Sequence, residues 1–140
     1  MKRIVVDASV VAAAFFRERH AEAAKTILLS KARLIAPDLI HAEIASVIWK
    51  RRRRGEIDSN EAIELLNNML DLPIEIFSSE QLIGSALVMA MQTDRTVYDC
   101  LYVALAMQEK ATMISADRRL VNALAGGPLQ DHVVWLGAES

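Results

Sequence analysis

The sequence predicts an α/β fold in three layers, with a mainly parallel central sheet between two layers of helices. Three observations carry this reading. Short apolar segments rich in β-branched residues alternate with helical segments along the chain. Hairpin signals between them are scarce, so successive strands need crossover helices and run parallel. The length, 140 residues, suffices for one domain with a real core and is too short for two, so 1–140 is read as a single domain.

The elements follow in order. KRIVVDAS opens as a buried strand over about residues 3–6 that ends at Asp7. HAEAAKTILLSKA, residues 20–32, has the spacing of an amphipathic helix. RLIAP is a short strand stopped by Pro37. DLIHAEIASVIWKRRRR is a long helix ended by Gly55, which suits the left-handed residue past a helix terminus. Asp58, Ser59 and Asn60 offer N-caps for a helix over about 60–71. LPIEIF reads as a strand with alternating faces, and SSEQLIGSALVMAMQ as a helix. TVYDCLYVALAMQ, residues 96–108, is a helix so apolar that it should be buried. ATMIS is a strand, a helix starts near Asp117, and HVVWL is the last strand. AGGP at 125–128 is an ordinary loop.

Composition narrows the function classes. Hydrophobic residues make up 53% of the chain, which excludes a disordered protein. The formal net charge is −2, so any basic surface must be local. The single Cys100 cannot form an internal disulfide, reads as a small core residue, and fits a reducing cytoplasm. MKRIVVDASVVAAAFF has the basic start and apolar run of a signal peptide. Asp7 within that run and the charges of RERHAEAAK count against secretion. No run approaches the length needed to span a membrane, and no membrane partner is expected.

The acids are the informative residues. In an open parallel sheet, ligands bind beyond the carboxyl ends of the strands. Asp7 follows IVV, and Asp117 follows TMISA, so two distant strands each deliver an aspartate at that end. Each also has a structural reading: Asp7 as an Asx turn into the next helix, Asp117 as the N-cap of its own. Glu43 lies within a helix, flanked by Ile40, Ile44 and Val47. A carboxylate on an apolar face is costly and needs a partner, either a salt bridge or a site. Asp99 opens the buried helix, where Thr96-x-x-Asp99 has capping-box spacing. If the helices pack beside the first and fourth strands, all four acids converge. Four carboxylates in one pocket cannot all ionise without a cation, and Mg²⁺ or Mn²⁺ suits an all-oxygen site. Such a site with open water positions suits phosphodiester hydrolysis.

These segments match a known pattern. IVVDASV, PDLIHAEIASVIWK, TVYDCLYVALA and ISADRRL stand in the order and spacing of PIN-domain ribonucleases, and the chain resembles the VapC-type toxins of toxin–antitoxin pairs over essentially its whole length. The third segment, DxxY followed by small and aliphatic residues, is the most specific. The resemblance implies a PIN-like α/β/α fold and a Mg²⁺- or Mn²⁺-dependent endoribonuclease. Asp7, Glu43, Asp99 and Asp117 would be catalytic. Asp7 and Asp99 would be metal ligands, Asp117 would hold a second metal or act through water, and Glu43 would ligate or orient the attacking water. Ser9 and Ser115 would support the site, although the family often has threonine at the latter position. The resemblance also implies an RNA substrate, a cognate antitoxin that covers the active site, and a homodimer.

The remaining features are weighed against this. Lys50, Arg51, Arg52, Arg53 and Arg54 form either an RNA phosphate track, or an antitoxin contact, or the solvated end of a helix. His20, His41 and His132 are isolated, lack metal-ligand spacing and default to the surface. Trp49 and Trp135 are expected in the core or an interface rather than as base-stacking platforms, and Met89, Met91 and Met107 as gap-fillers or a dimer surface. A haloacid-dehalogenase-like phosphatase would need a second acid after Asp7-Ala8, where Ser9 stands. A response-regulator receiver would need a lysine at a late strand end, but Lys110 precedes the fourth strand. The alternative that survives is a PIN-like RNA- or protein-binding module without catalytic activity.

Overall fold

A computed structural model describes residues 2–139; residues 1 and 140, the ends of the expected domain, lie outside it. Five strands, β1 (Arg3–Val6), β2 (Arg33–Pro37), β3 (Ile74–Phe77), β4 (Thr112–Ser115) and β5 (Val133–Trp135), form one sheet in the order β3-β2-β1-β4-β5. Every neighbouring pair is parallel. The helices are α1 (Ala8–Phe15), α2 (Ala21–Leu28), α3 (Leu39–Arg53), α4 (Ser59–Leu70), α5 (Ser79–Thr93), α6 (Val97–Gln108) and α7 (Arg118–Leu124).

The strand order fixes the layers. The chain steps from β1 to β2 to β3 in one direction, returns to β4 and steps outward to β5. Right-handed crossovers then put α1–α4 on one face and α5–α7 on the other. The contacts agree: α1 lies against α2 and α3, α3 against α4, and α5 against α6. The central strands are buried on both faces, which is why IVV and MI read as unbroken apolar runs. Helix α6 lies against β1, β2 and β4, and Cys100 to Ala106 are all buried. This confirms the burial expected of it.

Local chemistry explains the boundaries. Helix α3 ends in a Schellman motif: Gly55, at φ 78°, donates to the Arg52 carbonyl, and Glu56 donates to that of Arg51. Asp58 and Glu61 form a reciprocal capping box at the start of α4. Helix α2 is shorter than its amphipathic pattern, because His20 takes a left-handed conformation before it and the helix closes at Leu28.

Two strands depart from expectation. β3 does not alternate: Ile74 and Phe77 are half-buried while Glu75 and Ile76 are exposed. It is an edge strand with β2 on one side only, and Arg33 Nη2 holds Glu75 at 2.5 Å. β5 keeps only Val133–Trp135, because His132 and Leu136 fall into flanking 3₁₀ turns. Among the described residues, no helix is long and apolar enough to cross a membrane.

Candidate active site

The sheet reverses its winding between β1 and β4, where adjacent strands send their chains to opposite faces. Asp7 follows β1 and Asp117 lies two residues beyond β4, at the carboxyl edge of that switch. A cavity of about 250 Å³ opens there, lined by Asp7, Ser9, Glu43, Asp99 and Asp117 together with Ser46, Lys50 and Tyr102. Four acids from four elements therefore share one cavity. The structural readings of the two aspartates hold, and both also face the cavity. Asp7 N-caps α1 and Asp117 N-caps α7, each through Oδ1.

Asp7 is the deepest of the four, at 8% exposure. Ser9 Oγ donates to its Oδ1, and Ser115 Oγ donates to its Oδ2 at 2.6 Å. Both hydroxyls in turn accept backbone amides beyond β4: Ser9 from Ala116 at 2.9 Å, Ser115 from Asp117 at 3.0 Å. The two serines thus lock the β1 end to the β4 end with Asp7 between them. Burial pushes the Asp7 carboxyl above its ordinary value, and these hydroxyls and the Ser9 and Val10 amides oppose the shift.

Glu43 projects from α3. It makes no salt bridge among the described residues; its partner is the Tyr102 hydroxyl, which donates to Oε1. Burial raises its pKa, the Tyr102 bond lowers it, and the negative charges of Asp7 and Asp99 raise it further. Tyr102 is 2% exposed, and burial together with Glu43 drives its own pKa upward, so it stays a phenol and a donor. No role was read for Tyr102 in the sequence. The available signal was its place in DxxY: residues three apart on a helix share a face, so Tyr102 faces as Asp99 does.

Asp99 forms only half a capping box. Its amide donates to Thr96 Oγ1 at 3.0 Å, but its carboxylate does not return to Thr96. Oδ2 instead meets Arg95 Nη2 at 3.5 Å. Among the described residues, the buried Arg95 Nε has no hydrogen-bond partner.

Among the described residues, no three His, Cys, Asp or Glu side chains already enclose a point suited to a metal ion. The donor set nevertheless fits a hard cation such as Mg²⁺, which keeps several waters and takes only one or two carboxylates directly.

The basic run divides around α3. Lys50 lines the cavity, one face of the helix below Glu43 and Ser46. Arg51 is engaged elsewhere, pairing with Glu18 at 3.0 Å and Glu56 at 3.2 Å and lying over Phe16. Arg52, which donates to Ser59 Oγ, and Arg53 and Arg54 are exposed. Trp49 is not a core residue: it is 54% exposed, because it lies on the outer side of α3 from Ile44 and Ile48. Met91 and Met107 are likewise exposed, whereas Met89 is buried; His20 is half-buried, edge-on to Trp135.

Comparison with known proteins decides the family. The model of the PIN domain matches residues 4–125. The chain belongs to the PIN-domain family. Within PIN domains it is 32% identical over 120 residues to a protein named Ribonuclease VapC3 from Pyrobaculum aerophilum, covering 84% of this chain and 92% of that one. The fold of this PIN domain is shared with the crystal structure of PAE2754 from Pyrobaculum aerophilum, at a TM-score of 0.72 and 22% identity over 98% of this chain and 85% of the other. A toxin–antitoxin complex from Klebsiella pneumoniae contains a similar chain, with a TM-score of 0.61, 14% identity, and 94% and 95% coverage.

Proposed function

We propose that this PIN domain is the toxin of a toxin–antitoxin pair and acts as a divalent-metal-dependent endoribonuclease. The carrying observation is the convergence of Asp7, Glu43, Asp99 and Asp117 on one polar cavity at the switch of the sheet. The ribonuclease relative supports RNA as the substrate. A bound Mg²⁺ or Mn²⁺ would supply an activated water and offset the charge that develops on the phosphate.

The chain's own residues then have distinct tasks. Asp7 and Asp99 present the ligating oxygens, and Asp117 adds a third carboxylate, directly or through water. Ser9 and Ser115 hold Asp7 by both oxygens, so that its orientation is fixed before any ligand arrives. Glu43 orients the attacking water and accepts its proton as oxygen bonds to phosphorus and the ester bond breaks. Tyr102 fixes the other end of that carboxylate. Lys50, on the cavity wall, meets a phosphate oxygen.

Two partners follow from the same reading. An antitoxin is one partner, as the similarity to a chain in a toxin–antitoxin complex supports, and its place in this reading is over the cavity. A homodimer is supported by Ile83, Leu87 and Met91, an exposed apolar row at i, i+4 and i+8 on α5. The lone buried Cys100 suits the reducing cytoplasm.

Induced expression in a bacterial host tests the reading. The wild-type chain should arrest growth, Asp7→Asn should not, and co-expression of the antitoxin should restore growth. Equal arrest by wild type and Asp7→Asn would show that toxicity does not come from this cavity.

A further inference from the structure

Beyond the carboxyl ends of β4 and β5, one guanidinium covers one indole. Arg118 Cζ stands 4.1 Å from the centroid of the Trp135 ring, and His20 meets the same ring edge-on at 5.2 Å. Gly137 gives the ring its seat: a Cβ there would stand 2.3 Å from Trp135 Cη2. The indole is thus wedged in one place, and it holds the guanidinium by cation–π attraction. Trp135 is the register partner of Ser115 on the neighbouring parallel strand. Partners on adjacent strands point to the same face, about 4.8 Å apart. Ser115 is the residue that holds Asp7, so the Arg118–Trp135 pair stands one strand away from the acidic cavity, at the same edge and on the same face of the sheet. Arg118 also follows Asp117 directly, and Asp117 lines that cavity. The arginine is exposed, and among the described residues no carboxylate pairs with it.

We propose that Arg118, held across Trp135, anchors the RNA phosphate next to the scissile one. This rests on the ribonuclease reading and adds the residue that grips the strand on the β5 side of the cavity. The strand order defines the two sides. Helix α3, which carries Lys50, leaves from β2, whereas Trp135 ends β5, so the two cations flank the β1–β4 switch from opposite directions. Four acids repel a polyanion, and a cation at each rim offsets that repulsion. An RNA strand carries one charge at every nucleotide, so a phosphate in the cavity brings the next one to the rim. An acidic peptide has no charge repeat tied to the cavity in this way. Chemistry also suits the phosphate. A guanidinium offers a planar fork of donors to its oxygens, and stacking on an indole uses the face of that plane, not its N–H edge.

The test is equilibrium binding of a labelled single-stranded oligoribonucleotide by antitoxin-free protein. Anisotropy is followed at rising salt in EDTA, where the strand stays intact, and at early times in Mg²⁺. Arg118→Gln should bind more weakly, and its slope of log affinity against log salt should be shallower by about 0.7, the value of one contact on a single strand. Its deficit against wild type should therefore shrink about threefold between about 50 and 200 mM salt. Arg118→Lys should keep the slope, because the charge remains, yet bind more weakly than wild type, because an ammonium lacks the planar fork. Gly137→Ala should weaken binding at unchanged net charge, by displacing the indole. Lys31→Gln removes an exposed cation before the start of β2, at the opposite edge of the sheet, and should match wild type.

Wild-type affinity and slope in Arg118→Gln would overturn the proposal, and a lower melting temperature of that variant would not rescue it, since Arg118 would then serve only to brace Trp135 or to meet a protein partner. An equal loss of slope in Lys31→Gln would overturn it as well, because net charge and not position would set the effect. Wild-type affinity in a folded Gly137→Ala variant would overturn the part assigned to Trp135. Failure of the wild type to bind RNA in either EDTA or Mg²⁺ would remove the ribonuclease reading, and the proposal with it.

Discussion

Glu43 is where stability and the proposed chemistry oppose each other most clearly. It is partly buried near Asp7 and Asp99, and one neutral phenol is its only hydrogen-bond donor among the described residues. Its pKa in the fold lies above the ordinary value of 4.5, as that of Asp7 lies above 3.8. A raised carboxyl pKa means that the folded state holds its proton more tightly than the unfolded chain does. The contribution of these two groups to stability is therefore greatest at low pH and falls as pH rises through the raised values. In EDTA these two groups should make the protein melt at lower temperature at pH 8 than at pH 4.5, the ordinary value of Glu43 above which the loss begins. Glu43→Gln should flatten that slope and raise the melting temperature at neutral pH while it abolishes cleavage. A Glu43→Gln variant less stable than wild type at pH 8 in EDTA would refute the argument. Tyr102→Phe should act in the opposite sense. It strips a partly buried carboxylate of a charge-assisted hydrogen bond, which should cost on the order of 1.5 kcal/mol in urea unfolding and reduce turnover more than substrate affinity. The sequence disclosed the four acids because charge on an apolar background is conspicuous. It did not disclose Tyr102, because a tyrosine in an apolar helix looks like core until its hydroxyl is placed. Nor did it disclose that Asp99 turns to Arg95 instead of closing a capping box, since both outcomes share one spacing.

At the scale of elements, caps made the boundaries legible. Gly55 at the end of α3 and the Asp58–Glu61 pair at the start of α4 are local chemistry, and local chemistry is written in adjacent residues. Asp58→Ala should cost on the order of 1 kcal/mol of unfolding free energy and leave cleavage unchanged, because the box lies on the exposed side of α4. Loss of activity in that folded variant would show that the α3–α4 corner takes part in the site. Elements shaped by distant contacts were less legible. The exposed centre of β3 follows from its position at the sheet edge, and the shortening of β5 from the 3₁₀ turns on both sides. The basic run is a further case. Five consecutive cations look like one patch in sequence, but a helix distributes them, leaving Lys50 on the cavity, Arg51 in ion pairs and Arg53 over Trp49.

For the molecule as a whole, the parallel α/β class was legible from alternation, but the order β3-β2-β1-β4-β5 was not. That order is a matter of which strands meet, and it makes Asp7 and Asp117 neighbours although 110 positions separate them in the chain. The serines then convert adjacency into geometry, since each spans from Asp7 to the backbone after β4. A site assembled from four elements exists only in the folded state, so a cation that binds it must stabilise the fold. Mg²⁺ or Mn²⁺ should raise the melting temperature of the wild type, and Asp99→Asn should reduce that rise. Arg95→Gln should enlarge it, because a resident cation beside Asp99 competes with an incoming one. An unchanged melting temperature at millimolar cation would count against a metal site here.

The most direct measurement is cleavage of single-stranded RNA by purified, antitoxin-free protein in Mg²⁺ or Mn²⁺, alongside EDTA and Asp7→Asn controls. Cutting is expected in either metal, none in EDTA, and none by Asp7→Asn despite a folded spectrum. Cutting that persists in EDTA or in Asp7→Asn, or intact cellular RNA after exposure to metal-loaded wild type, would contradict it.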